Sequence, residues 1–158
     1  MSLIAHEMGH TIHWLLRFPE DVHSVEIKMM DNHTEAVPTF IDEGRVLGIG
    51  RAVNFLAGCV AERVARGETN VASTAAGYGK NIVHWLMDTP FAGEWDKACF
   101  LTIMGSYERV PMADLARELV YCERFIRQGL PEHDLTALEQ ELNETGSLEF
   151  YGAEPVLH

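Results

Sequence analysis

Apolar positions along the 158-residue chain recur mostly at helical spacing. The run Leu3-Ile4-Ala5, followed by Ile12, Trp14, Leu15 and Leu16, meets no Pro before Pro19 and predicts one helix of roughly four turns. Phe18-Pro19-Glu20-Asp21 breaks it. From Val25 the period falls to two, with Ile27 and Met29 alternating with Glu26 and Lys28. Asp31-Asn32-His33 makes a turn, and Ala36-Val37-Pro38-Thr39-Phe40 returns as a second strand. Pro38 confines that strand to a sheet edge, because it has no N–H for an inner ladder. Gly44, Gly48 and Gly50 loosen the chain before Val53, Leu56, Ala57, Val60 and Val64 restore a helix over residues 51–65, stopped by Gly67. Further helices are expected over residues 82–87, 94–104 and 111–128, the last with Pro at its first position and Gly129 behind it. A final helix opens around Asp134, runs to about residue 143 and is closed by Gly146; the tail beyond Tyr151 is expected to be loosely held. The pattern predicts a mainly α fold, one domain over residues 1–158, carrying one small β-hairpin.

Composition narrows this little. A formal net charge of −12 argues against nucleic acid and anionic membranes as partners. No run of about 18 apolar residues is present, so no membrane span is expected. Cys59, Cys99 and Cys122 are odd in number and scattered, which fits a reducing cytoplasm better than a disulfide framework. Gly79-Lys80-Asn81 lacks the first Gly and the final Ser or Thr of a phosphate loop, so ATP binding is rejected. The chain enters its first helix abruptly, within three residues of Met1, which fits either a missing upstream segment or a short leader.

The chemistry sits in that first helix. His6 and His10 are four residues apart and share a face, so two imidazoles converge on one point, as zinc ligands on a helix do. Glu7 is offset by about 100° and can take a proton from water in front of the metal. His6-Glu7-Met8-Gly9-His10 is thus the His-Glu-x-x-His signature of metallopeptidases, with zinc as cofactor, His6 and His10 as ligands and Glu7 as general base. Gly9 leaves room for another element to approach.

These residues resemble the peptidase domain of the FtsH-type ATP-dependent zinc metalloproteases. That family's catalytic helix begins His-Glu-Ala-Gly-His and is followed by a Pro-containing break and a hairpin, the order of His6 to His10, Pro19 and residues 25–40 here. Leu56-Ala57-Gly58-Cys59-Val60-Ala61-Glu62 is similar to the family's Leu-x-Gly-Arg-x-Ala-Glu helix, and Ala72-Ser73 looks like part of its Gly-Ala-Ser-Asn-Asp stretch. The closing Leu- and Glu-rich helix before Thr145-Gly146-Ser147-Leu148 is also similar. The resemblance implies hydrolysis of unfolded polypeptide or peptides, a homo-oligomer, and an ATPase acting as a separate partner, since the family's ATPase module and membrane anchor have no counterpart in these residues.

One departure bears on the metal. The family's third ligand is the Asp of Gly-Ala-Ser-Asn-Asp, and Ala75 stands at the matching position. A catalytic zinc normally takes three protein ligands. Glu62 is the first candidate for the third; its other reading, the preferred one, is a carboxylate that orients His6 or His10. His84 and Asp88, four apart on one helix face, come next, each otherwise a surface polar residue. His13 shares the motif face, but one straight helix cannot close three of its residues around one ion. His33 reads as a turn residue. The alternative to a peptidase is a degenerate peptidase-like domain that binds peptides or a partner protein without catalysis.

Overall fold

The computed structural model describes residues 3–42, 46 and 48–152. The motif segment forms helix α1 (Leu3–Arg17), which is buried on every side: Ile4, Met8 and Ile12 lie in the core, and so do the polar His6, Glu7, His10, Thr11 and His13. An all-round buried helix is the centre of its domain rather than a surface element. It packs against α2 (Gly48–Ala65), α6 (Met112–Gly129) and the first two strands. Gly9 makes the α2 contact: a Cβ there would lie 2.5 Å from both the Ala57 carbonyl oxygen and Ala61 Cβ. The small residue expected to admit a neighbour does so. At its far end α1 is tied to α6 by the Arg17 guanidinium, which donates to both Glu118 carboxylate oxygens at 3.0 and 2.6 Å.

β1 (Val22–Met29) and β2 (Thr34–Phe40) form the expected hairpin, closed by a hydrogen bond from Met30 N–H to the His33 carbonyl. The hairpin is not alone, however. β3 (Ser147–Tyr151) pairs antiparallel with the other side of β1, giving the order β2-β1-β3. The expectation of a single hairpin is corrected to a three-stranded sheet. Its inner face is Val25 and Ile27 of β1 with Leu148 and Phe150 of β3 opposite them. Pro38 is on an edge strand as expected. Counting outwards from the Met30–His33 bond, the backbone groups of Glu35, Val37 and Thr39 bond to β1, while those of Thr34, Ala36 and Pro38 face the free edge. Pro38 therefore costs the ladder nothing.

α2 starts at Gly48, three residues before the expected 51, and ends at Ala65, two residues before Gly67, whose φ of +86° gives the left-handed turn that stops it. α3 (Val71–Gly77) and α4 (Ile82–Leu86) follow, then α5 (Glu94–Met104) against α2. Pro111 caps α6 rather than opening it, and Gly129 is the last helical residue, pressed against Ile12. α7 (Leu135–Thr145) is capped by the Asp134 carboxylate, which accepts from Ala137 N–H at 3.1 Å, and is closed by Gly146 at φ +82°. Gly146 turns the chain straight into β3. Among the described residues there are seven α-helices and three strands, no helix is long and apolar enough to cross a membrane, and Cys59, Cys99 and Cys122 are free. The readings of Gly44 and of the tail past Gly152 lie outside the described residues.

Candidate metal centre

His6 and His10 stack one turn apart on α1, ring centroids 4.8 Å apart, and their Nε2 atoms approach to 3.1 Å. Both opposite nitrogens are committed. His10 Nδ1 donates to the Asn54 carbonyl oxygen at 2.7 Å, and an oxygen of that kind can only accept. His6 Nδ1 donates to Glu62 Oε2, also at 2.7 Å. Both Nε2 atoms are thereby turned towards the same point, the tautomer arrangement typical of metal-binding imidazoles. α2 supplies both anchors, Asn54 and Glu62, two turns apart along one helix. It can approach this closely because residue 58 is glycine: a Cβ there would lie 2.5 Å from His6 Cε1 and Nε2 and 2.6 Å from His10 Nε2.

A third donor stands opposite. Asp96 Oδ2, in the first turn of α5, is 3.4 Å from His10 Nε2 and 3.7 Å from His6 Nε2. Donors at 2.0–2.1 Å from a tetrahedral zinc are separated by about 3.3 Å, so the three spacings bracket what such an ion needs. The set fits zinc in chemistry as well: two imidazoles, which give up a proton when they take a metal, and one carboxylate. Its field also favours a positive charge. Burial alone would lower the His6 pKa, yet the nearby Asp96 carboxylate, the bond to Glu62 and the charges of Glu7 and Glu62 push it up to about 9. Asp96 is held far below the usual carboxylate range, its own burial being outweighed by His10 and His6.

A second group, His6, Cys59 and Glu62, also has its ligand atoms within 4.8 Å of one another, but its carboxylate is already satisfied. Glu62 is buried at 0% exposure; its Oε2 also accepts from Thr89 Oγ1 at 2.8 Å and its Oε1 from Phe91 N–H at 3.0 Å. Burial would raise the Glu62 pKa, but the bonds from His6, Thr89 and Phe91 hold it below the ordinary value. Burial pushes the Cys59 thiol up to about 12. Glu62 thus orients His6 and ties down the segment that leads to α5.

Glu7 is 4% exposed and lines the same cleft of about 1090 Å³ as His6, His10 and Asp96. Nothing among the described residues hydrogen-bonds to its carboxylate. Burial raises its pKa against the lowering pull of His10 and His6. β2 lines the cleft too, through residues 34–38.

The other candidates are elsewhere. His84, on α4, and Asp88 are exposed and in neither group. Ala75 is buried in α3, packed into the core, so no ligand is missing from that place. His33 is an exposed turn residue, bonded to Asn32 Oδ1 at 2.7 Å. His13 is fully buried, its Nδ1 accepting from Asn54 Nδ2 at 3.0 Å while Nε2 has no partner; burial pushes its pKa down to about 3. Sequence reasoning missed Asp96 because an acid in the first turn of a helix is ordinary. Compared with known proteins, the chain matches no family model, no curated protein and no solved structure.

Proposed function

We propose that the protein is a zinc-dependent metallopeptidase in which His6, His10 and Asp96 hold the metal and Glu7 handles the proton. The observation that carries this reading is the trio His6 Nε2, His10 Nε2 and Asp96 Oδ2 at spacings of 3.1, 3.4 and 3.7 Å, with Glu7 buried beside it. Zinc held there would supply a Lewis acid for the scissile carbonyl and acidify water at neutral pH. Glu7 is the base that takes the water's proton and the acid that passes it to the leaving amine. Thr34, Ala36 and Pro38, with backbone groups on the free edge of β2, line up an extended peptide by strand addition. Asn54 and Glu62 keep the imidazoles aimed while substrate comes and goes.

The FtsH-type resemblance supports the same reading: of the Gly and Glu of its second motif, Gly58 lies against both motif histidines and Glu62 bonds to His6. The binding-only alternative drew on Ala75 and on the lack of an ATPase module in these residues; Asp96, set beside both imidazoles, weighs against the first ground only. A homo-oligomer and a separate ATPase partner remain what the resemblance suggests.

The test is metal content and hydrolysis together. Purified chain should carry about one zinc. Asp96→Asn should lose most of it, while Asp88→Asn and His84→Ala keep it. Glu7→Gln should retain zinc and lose casein hydrolysis. A chain that takes up no zinc, or a Glu7→Gln variant that still cleaves casein, overturns the proposal.

A further inference from the structure

Three tryptophans are present, and two are used by the fold. Trp14 packs against Phe18 and Phe40, with ring centroids 5.6 and 5.3 Å away. Trp85 stacks on Tyr78 and lies under the Arg63 guanidinium, 3.8 Å from its ring centroid. Trp95 is different. It is 76% exposed, and among the described residues no ring or cation stacks on it. A single exposed apolar residue needs no explanation. Trp95, however, is the residue immediately before Asp96, so its Cα is about 3.8 Å from that of the third donor. It lines the same cleft as Glu7 and β2. Phe55, Phe91 and Val37 complete an apolar wall there, whereas Glu35 and Glu94 join Glu7 and Asp96 as carboxylates of the lining, four against the single guanidinium of Arg51.

From this we infer that Trp95 sets the substrate class: it receives an aromatic or large aliphatic side chain flanking the bond to be cut, and the acidic lining turns away Asp and Glu. The inference rests on the peptidase reading for the direction of the peptide. Trp95 lines one cleft with the three donors and with residues 34–38, so a chain lying along β2 with a carbonyl at the donors shares that cleft with the indole. Stacking there covers the most exposed aromatic surface among the described residues of the cleft. Tryptophan is among the residues most often found to carry binding energy once a ligand covers it.

The experiment uses the full chain carrying Glu7→Gln, loaded with zinc, so that binding is read without turnover. Labelled Ala-based octapeptides with one central Phe, Leu, Ala or Asp are titrated by anisotropy, and tryptophan emission is followed in parallel. Phe and Leu peptides should bind about tenfold or more tightly than Ala, Asp more weakly than Ala, and the Phe peptide should shift the emission to the blue. In the Glu7→Gln/Trp95→Ala double variant, Phe and Ala peptides should bind alike and the shift should vanish. A preference for Phe that survives Trp95→Ala, or no preference in the first place, overturns the inference. Failure of the wild-type chain to hydrolyse casein sinks the peptidase reading instead, and leaves this binding comparison legible. In a chain that does cleave casein, equal kcat/KM for Phe and Ala peptides sinks the inference alone.

Discussion

Glu62 Oε2 accepts the Nδ1 proton of His6 across 2.7 Å and shares that oxygen with the Thr89 hydroxyl. One carboxylate thus fixes a motif imidazole from α2 and also the segment that delivers α5. Replacing it by Gln keeps the size and removes the charge that holds the His6 tautomer. Glu62→Gln is expected to weaken zinc binding about 10- to 100-fold, measured by competition with a chromophoric chelator. Unchanged affinity would show that Glu62 is structural only.

Gly58 is the reason two imidazoles fit against α2 at all. Alanine is favoured over glycine in a helix by about 1 kcal/mol, so Gly58→Ala should leave helical content intact. Its Cβ nevertheless occupies the space of His6 and His10. The expected outcome is loss of zinc binding with an unchanged far-ultraviolet circular dichroism spectrum. Full zinc stoichiometry in Gly58→Ala would refute the packing described for α1 and α2.

His13 makes stability depend on acid. Its pKa falls from 6.5 in the unfolded chain to about 3 in the fold. Above pH 6.5 both states are neutral and nothing changes. Below it the unfolded chain gains a proton that the folded one refuses, so stability drops as pH falls from 6.5 towards 3, by at most about 1.4 kcal/mol per pH unit. Urea midpoints between pH 7 and 4, in the presence of chelator, should fall more steeply for the wild-type chain than for His13→Gln. Parallel curves would mean that His13 is protonated inside the fold.

The sequence by itself determined the local parts. The motif helix, the hairpin with Pro38 on an edge, the α2 helix stopped by Gly67 and the closing helix ended by Gly146 all follow from periodicity and from residues whose backbone preferences are strong. It also determined the pair His6 and His10, since four residues along a helix is a fixed geometry. Tertiary structure alone decided the rest. β3 is a five-residue alternation whose only reason to be a strand is its pairing with β1, more than a hundred residues earlier. Asp96 looks like any acid at a helix start until α5 docks on α2 and sets it opposite two imidazoles. Glu62, read from sequence either as ligand or as support, became support once its oxygens were filled by His6, Thr89 and Phe91. Spacing within an element is written into the chain, because the helix and strand repeats are constants. The meeting of separate elements depends on which surfaces pack, and only the folded core settles that.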